Sequence, residues 1–239
     1  MNVTATDLLA IAIFTITMMS LVGTMVGLSP VVPAAIAIGL LSGWGIDLGA
    51  FQGKFGVYLQ VWLRARSPQY RQRVTYHEAG HFLIAHLLGF EVTGYAIAGV
   101  VGKSLGEILA EEDFQGIEGG VAIQLDLEQV IGDPLKRNSI EARHLLDRYC
   151  TLCMAGIAAE QLMCVGETEG GYDDVQRLRK AIAHLPQPMT QERWALLNAK
   201  NLLSDHQESL IALAAKMQTG ADVQSCYAVI NSMDQTLKA

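Results

Sequence analysis

The sequence carries little charge and has no basic excess. Only 17% of its 239 residues are charged, and 17 Lys and Arg against 24 Asp and Glu give a formal net charge of −7. Because nucleic-acid binders usually show an excess of basic residues, this composition argues against that class. The 51% content of hydrophobic residues excludes a disordered chain and permits one globular domain with a short appendage.

Cysteine is also scarce. The four cysteines, Cys150, Cys153, Cys164 and Cys226, are too few for the disulfide framework of a small secreted protein, which favours a reducing compartment. Cys150 and Cys153 form a C-x-x-C, which is either a pair of small buried helix residues or a redox or metal pair. Their apolar neighbours favour the first interpretation.

The N-terminal part of the chain lacks basic residues altogether. Residues 1–53 contain Asp7 and Asp47 but no Lys or Arg. The uncharged run from Leu8 to Leu28, at about 1.5 Å per residue, spans a hydrocarbon core of roughly 30 Å. We therefore predict a transmembrane helix here. A cleaved signal peptide is disfavoured because Met1 to Asp7 carries no positive charge.

A second apolar run extends from Val31 to Ile46 and is interrupted by Pro33 and three glycines. This run is either a second short span or an interfacial segment. The alternative for both apolar runs is that residues 8–46 form buried helices of a soluble protein. Basic residues follow: Lys54, Arg64, Arg66, Arg71 and Arg73. By the positive-inside rule they place the remaining chain in the cytoplasm or an equivalent such as a stroma. We predict a membrane anchor over 1–53, a basic linker over 54–70 and a soluble domain over 71–239.

The strongest chemical signal is the H-E-x-x-H pattern from His77 to His81. Apolar residues and the two histidines recur at intervals of three and four, and Gly89 follows, which predicts a helix from Arg71 to Leu88. On a helix the two imidazoles project from one face and can bind one Zn²⁺, while Glu78 can reach a water on that ion. This arrangement is typical of metal-assisted amide hydrolysis.

Two features of this helix leave alternatives open. Gly80 within it costs about 1 kcal/mol relative to Ala, which indicates that close packing or substrate approach requires the missing side chain. The histidines themselves have a structural alternative, a helix with two solvated imidazoles, but the acidic residue beside His77 would then be coincidental.

A catalytic zinc needs a third protein ligand and an open fourth position. The pattern H-E-x-x-H-x-x-G-x-x-H is excluded because Ile84 and Leu87 stand where it requires a glycine and a histidine. His86 lies about 140° around the helix from His81 and cannot join the same ion. A membrane-embedded protease is excluded because the segment from Arg71 to His81 is polar and charged.

The third ligand is therefore expected among the downstream carboxylates. These are Glu91, Glu107, Glu111, Glu112, Glu160, Glu167, Glu169, Asp173 and Asp174. Asp173 and Asp174 follow the pair Gly170-Gly171 and open a predicted helix. A carboxylate there is either a rigidly held ligand or merely an N-cap.

Three segments together resemble the peptidase domain of the FtsH-type membrane-anchored zinc metalloproteases. They are Thr75-Tyr-His-Glu-Ala-Gly-His81, Ala155-Gly-Ile-Ala-Ala-Glu160 and Gly170-Gly-Tyr-Asp-Asp-Val175, against the family's H-E-A-G-H, G-G-R-A-A-E-E and T-G-A-x-N-D-L. The resemblance covers roughly residues 70 to 235. It implies a helical zincin-like domain in which His77, His81 and Asp174 bind zinc and Glu78 is the catalytic base. Ile157 and Asp173 depart from the family's Arg and Asn.

The family's ATPase module is not found in this sequence. No G-x-x-x-x-G-K-[ST] string occurs, and the fragment Gly102-Lys103-Ser104 has Ile97 where the first glycine belongs. The resemblance therefore implies a short form without ATP-driven unfolding. We expect a membrane-tethered endopeptidase that cleaves unfolded or flexible protein segments at the cytoplasmic or stromal face of a plasma or thylakoid membrane.

Two other functions remain open at this point. One is a catalytically silent scaffold or partner of full-length FtsH-type proteases, and the other is a metal-dependent hydrolase of a small amide or peptide. The expected partners are protein or peptide substrates, the lipid bilayer, and either a second copy or a full-length protease, with no nucleic acid and no ATP.

The fold is expected to be mostly α with a small β-sheet. Short strands are predicted within Glu91 to Leu109, and the family's substrate-binding edge strand would correspond to Tyr95 to Val101, with an ordinary core hairpin as the alternative. A loop is predicted from Glu111 to Gly120. Helices are predicted over Ser139 to Val165, Asp173 to Leu185 and Thr190 to Asp205, followed by one or two more.

Overall fold

The structure, a computed structural model, describes residues 5–50, 66–97, 119–125, 139–166 and 170–237. These residues belong to two compact units, one that includes 5–50 and one that includes 69–97, 119–125, 139–166 and 170–237. Most of them are helical, and a two-stranded sheet is the described β-structure. The expected mostly-α fold with a small sheet is confirmed at this level.

Residues 5–50 of the first unit form two apolar helices, α1 (Ala5–Val22) and α2 (Val31–Ala50), joined through a short 3-10 turn at Gly23–Val26. Both Leu9–Val26 and α2 are long and apolar enough to cross a membrane, a property that signal sequences and core helices share. Most of their large apolar side chains are exposed. The second apolar run is thus one continuous helix that extends past Ile46, because Pro33 lies in its first turn, where proline is tolerated.

The second unit is built around α3 (Pro68–Leu87), which contains the H-E-x-x-H pattern and is buried continuously from His77 to Ala85. The predicted helix from Arg71 to Leu88 is confirmed. Gly89 adopts φ +70°, a left-handed conformation that favours glycine after a helix end. The Arg148 guanidinium donates to the Leu88 carbonyl and so places a cation at the negative end of the helix dipole.

Two antiparallel strands follow α3. Strand β1 (Glu91–Ile97) pairs with β2 (Gly119–Gln124), with Glu91 opposite Gln124 and Ile97 opposite Gly119. The predicted strand after Glu91 is confirmed, whereas β2 was not predicted. The loop expected up to Gly120 is wrong at Gly119 and Gly120, which belong to β2. The rest of that loop and residues 98–101 of the expected edge strand lie outside the described residues.

Six helices complete the described part of the second unit: α4 (Ile140–Cys153), α5 (Ala155–Met163), α6 (Tyr172–Ile182), α7 (Pro188–Asp205), α8 (Gln207–Gln218) and α9 (Val223–Leu237). Helices α4, α5 and α6 pack on α7, while α8 packs on α9. The Ser139 hydroxyl caps α4 by accepting a hydrogen bond of 3.1 Å from the Ala142 amide N–H. Pro188 is the first residue of α7, a position where the backbone N–H that proline lacks has no partner within the helix.

The continuous helix predicted over Ser139 to Val165 is wrong at one point, because the chain turns at Met154 and separates α4 from α5. Helix α5 then lies against α3 at Gly80. A Cβ added to Gly80 would lie 2.6 Å from the Ala159 Cβ and 2.7 Å from the Ala155 carbonyl oxygen. Of the two reasons predicted for this glycine, close helix packing is therefore the one that the structure supports.

Cys150 and Cys153 are buried free thiols at the C-terminal end of α4. Burial raises the pKa of each thiol to about 12, so neither forms an appreciable fraction of thiolate near neutral pH. The interpretation of this pair as small buried helix residues is confirmed.

Candidate metal centre

Helix α3 presents His77 and His81 one turn apart, and helix α6 brings Asp174 against both. Nε2 of His77 lies 3.2 Å from Nε2 of His81, and Oδ2 of Asp174 lies 3.2 Å from each of these nitrogens. Among the described residues, these three form the one group of histidine, cysteine and carboxylate side chains that could hold a metal ion. The three residues expected as ligands are thus brought together.

The spacing of these three atoms fits a tetrahedral zinc ion. Metal–ligand bonds of about 2.0–2.1 Å give a tetrahedron with edges of about 3.3 Å. The observed triangle has edges of 3.2 Å on all three sides. Two imidazole nitrogens and one carboxylate oxygen also form the donor set of catalytic zinc sites, which leave a fourth position open.

Each histidine is oriented by a hydrogen bond from its other ring nitrogen. Nδ1–H of His77 donates to Oε1 of Glu160 at 2.7 Å, and Nδ1–H of His81 donates to the Leu152 carbonyl at 3.0 Å. When each imidazole is neutral and protonated on Nδ1, both Nε2 atoms can present a lone pair to a metal ion at the common centre. Partners of this kind fix the tautomer and increase the basicity of metal-binding histidines.

Arg73 forms an ion pair with Oε2 of Glu160, the carboxylate oxygen that does not bond to His77. The Arg73 Nε lies 3.8 Å from Oε2 of Glu160, whose side chain is 2% exposed. Both residues lie outside the ligand triangle, so Glu160, one of the candidate third ligands, instead positions His77. The sequence placed Glu160 in a motif but could not show its role, because the contact joins α3 to α5 across 83 positions.

Gly156 and Gly170 allow the His77 ring and its partner Glu160 to fit between α5 and the start of α6, and Gly171 allows the approach of Ile157. A Cβ on Gly156 would overlap the His77 ring. A Cβ on Gly170 would lie 2.7 Å from Oε1 of Glu160 and 3.3 Å from Nδ1 of His77. Gly171 adopts φ +85°, and its Cβ would overlap Cγ1 of the Ile157 side chain, while its distance of 3.5 Å from Cε1 of His77 is an ordinary contact. These contacts explain the glycines of the second and third sequence motifs.

The charges of the site favour a cation at its centre. Burial lowers the pKa of His77, but hydrogen bonds to Asp174 and Glu160 and the charge of Glu78 outweigh burial and raise this pKa to about 10. Burial raises the pKa of Asp174, but the charges and hydrogen bonds of His81 and His77 hold it well below its usual range. The carboxylates therefore stabilise positive charge here, whether a proton or a metal ion carries it.

Glu78 is buried next to the triangle but contributes no atom to it. Burial raises the pKa of its carboxyl group above the ordinary value, against the opposing charges of His77 and His81. A raised pKa makes the carboxylate a stronger base. The carboxylate lies against the start of β2, where a Cβ on Gly119 would be 2.7 Å from Oε1 of Glu78.

The other candidate ligands lie elsewhere. Asp173 is exposed in the first turn of α6, and Glu91 is exposed at the start of β1. His86 stacks near Tyr227 with ring centroids 5.4 Å apart and is not part of the group, as expected. Glu107, Glu111, Glu112, Glu167 and Glu169 lie outside the described residues.

Comparisons of the chain with protein-family models, with curated proteins and with solved structures gave no match. The assignment of a function therefore depends on the geometry of this site and on the sequence motifs.

Proposed function

We propose that the protein is a membrane-tethered, ATP-independent zinc metalloendopeptidase. The observation that carries this proposal is the triangle of His77 Nε2, His81 Nε2 and Asp174 Oδ2, whose equal edges fit tetrahedral zinc, with the Glu78 carboxylate beside it. A purely structural zinc site is closed by four protein ligands and does not require a neighbouring base.

In this proposal His77, His81 and Asp174 hold Zn²⁺, which when bound lowers the pKa of a water and polarises the substrate carbonyl. Glu78 accepts a proton from the water as the water oxygen attacks the carbonyl carbon. The same carboxyl group then donates that proton to the amide nitrogen as the C–N bond breaks, which yields a carboxylic acid and an amine. Glu160 and the Leu152 carbonyl keep the two imidazoles in the required tautomer.

The resemblance to the FtsH-type peptidase domain supports the same roles. The two histidines, Glu78 and Asp174 occupy the positions of that family's ligands and base, and Gly156 and Gly170, which match glycines of its motifs, lie against His77 or its partner Glu160. Since the sequence contains no P-loop string, we propose that the substrates are protein segments that are already unfolded or flexible.

The substrate main chain is proposed to lie along β2 rather than β1. The Val92 amide of β1 donates to the Tyr227 hydroxyl at 2.9 Å, so the outer edge of β1 is occupied at this position. Strand β2 begins at Gly119, in contact with Glu78, and within the described sheet its strand neighbour is β1 alone. An extended peptide added to β2 would pass next to the base. The expectation for Tyr95 to Val101 stays a prediction, and β2 is proposed as the alternative edge; residues 98–101 lie outside the described residues.

We further propose that α1 and α2 anchor the chain in a plasma or thylakoid membrane and that the metal centre faces the cytoplasm or stroma. The exposed apolar side chains of both helices support the anchoring. The basic residues after Gly53 support the orientation. A second copy of the chain or a full-length FtsH-type protease remains the proposed protein partner.

The test is zinc content and proteolysis of the purified full chain in detergent. We expect cleavage of casein, a loosely folded substrate, with much less cleavage of a stably folded protein. Glu78→Gln should retain zinc and lose cleavage. Stoichiometric zinc with no cleavage, equal to that of Glu78→Gln, would instead support a scaffold, and cleavage of short peptides alone would support a small-amide hydrolase.

A further inference from the structure

Gly119, the first residue of β2, lies directly against the carboxylate of Glu78. A Cβ added to Gly119 would be 2.7 Å from Oε1 and 3.2 Å from Cδ of Glu78, and 3.1 Å from Cγ1 of Val74. Val74 and Glu78 lie one turn apart on the same face of α3. Strand β2 therefore begins over this face and leaves no room for a side chain between itself and the proposed base.

The sheet holds Gly119 in this position. Gly119 pairs with Ile97 at the end of β1. The Tyr95 hydroxyl of β1 donates to the Ala221 carbonyl, just before α9, and the Tyr95 ring packs edge-on against Phe82 of α3 with centroids 6.2 Å apart. Because these contacts hold the sheet against α3, the backbone of Gly119 stays close to Glu78.

The Glu78 carboxylate is the part of this contact that can move. It stands at the end of a side chain with rotatable bonds, whereas the backbone of Gly119 is held by strand pairing. A methyl group at residue 119 would therefore displace the carboxylate before it displaced the strand. For a general base, a displacement of about 1 Å can cost about 100-fold in rate.

We propose that Gly119 is a positioning residue for the base: because it has no side chain, it lets the Glu78 carboxylate take its place beside the metal centre. This inference rests on the proposed function, since it assigns the means by which the base of that site is aligned. Strand β2, proposed to bind the substrate main chain, would then also set the position of the base.

The test is the steady-state cleavage of a labelled flexible peptide by the zinc-loaded full chain in detergent. Gly119→Ala should lower kcat about 100-fold and change KM by less than about threefold. It should retain its zinc, because in the described part of the chain the atoms nearest to the added Cβ belong to Glu78 and Val74 and not to the metal ligands. Distortion of the substrate-binding strand alone would instead raise KM.

Gly220→Ala is the matched control for backbone strain. Gly119, at φ +145°, and Gly220, at φ +70°, both adopt conformations that favour glycine. A Cβ added to Gly220 meets nothing within 4 Å. Gly220→Ala should therefore lower the denaturant midpoint of unfolding, as strain at residue 119 also does, but keep the wild-type kcat.

Glu78→Asp separates positioning of the base from a purely structural role of Gly119. It withdraws the carboxylate by one CH₂ group and by itself should lower kcat. In Gly119→Ala the shorter side chain leaves room for the added methyl group. The double variant should therefore be about as active as Glu78→Asp alone, whereas two independent effects would make it about 100-fold less active.

Val74→Ala covers the case in which Gly119→Ala does not fold. Combined with Gly119→Ala, it removes the Cγ1 atom that lies 3.1 Å from the added Cβ and keeps the contact with Glu78. The low kcat should persist in this variant, because the carboxylate is still displaced.

Four results would overturn the inference. They are a kcat of Gly119→Ala equal to that of Gly220→Ala, a raised KM with unchanged kcat, loss of zinc in Gly119→Ala, and independent effects of Gly119→Ala and Glu78→Asp. In each case the wild-type protein still cleaves the peptide, so the proposed function stands. A wild-type protein that binds zinc and cleaves nothing would refute the proposed function and this inference with it.

Discussion

At the scale of single residues, the ligands could be predicted from the sequence to different extents. His77, Glu78 and His81 lie within one helical turn, so their spacing alone predicts a shared metal. Asp174 lies 97 positions from His77, and reasoning from the residues could not separate it from Asp173. The resemblance selected Asp174, and the structure places it in the ligand triangle. The roles of Glu160 and the Leu152 carbonyl depend on tertiary contacts that no local pattern encodes.

The choice between the two aspartates has a direct test. Asp174→Asn removes the charge of an oxygen that lies 3.2 Å from both histidine nitrogens, whereas Asp173 is exposed outside the group. We expect Asp174→Asn to weaken zinc binding at least tenfold and Asp173→Asn to leave it almost unchanged, as measured by competition with a chelator. A larger loss of zinc binding in Asp173→Asn than in Asp174→Asn would identify Asp173 as the ligand instead.

Glu160 should matter for zinc affinity without contacting the ion. Glu160→Ala removes the acceptor for His77 Nδ1–H, and we expect a loss of about 10- to 100-fold in zinc affinity. Glu160→Gln keeps an acceptor oxygen and should lose less. Glu192→Gln, which breaks only the exposed pair with Arg179, is the control and should have no effect on zinc. Unchanged affinity in Glu160→Ala would refute the positioning role.

At the scale of helices and strands, the helices with clear periodicity or caps and strand β1 were predicted, whereas strand β2 and the break at Met154 were not. The helix from Pro68 to Leu87 follows from its apolar spacing and from Gly89, and α4 follows Ser139, whose hydroxyl caps it. Strand β2 contains two glycines and few residues of high β-propensity, so its strand conformation depends on pairing with β1. The break occurs at Met154, which is neither glycine nor proline, and Gly156 two residues later lies inside α5, so no residue at the break predicts it.

The crossing of α3 and α5 gives a prediction about stability. Gly80→Ala should gain about 1 kcal/mol in helix propensity but lose more, because the added Cβ would lie 2.7 Å from the Ala155 carbonyl oxygen, a backbone atom that cannot easily move. We expect a net loss of about 1–3 kcal/mol in the free energy of unfolding, measured by denaturant titration.

Gly43→Ala is the matched control for this experiment. An added Cβ there meets nothing within 4 Å, and the residue lies in α2, outside the second unit. It should leave unfolding of that unit unchanged. A Gly80→Ala variant more stable than the wild-type protein would contradict the close packing at this crossing.

At the scale of the whole molecule, the division of charge along the chain predicts an apolar anchor and a soluble domain. Among the described residues, two helices are long and apolar enough to span a membrane, whereas the sequence left open whether the second run is a span. The effect of Pro33 and the glycines on the continuity of this helix was overestimated, since glycine is tolerated in apolar helices and Pro33 lies in the first turn.

Membrane attachment is tested by fractionation. We expect the full chain to remain with membranes after an alkaline carbonate wash and to be released by detergent, because its two helices expose apolar side chains over their length. A chain that begins at Lys54 should appear in the soluble fraction and still bind zinc. Release of the full chain by carbonate would show that the two helices do not span the bilayer.

The most direct test of the metal centre is the zinc content of four purified proteins, measured by mass spectrometry of the metal. The wild-type protein and Glu78→Gln should each carry one Zn²⁺ per chain, since the base is not a ligand. His77→Ala and His81→Ala should carry almost none, because each lacks one corner of the 3.2 Å triangle. Equal zinc content in all four proteins, or a wild-type protein that binds no zinc, would contradict the account.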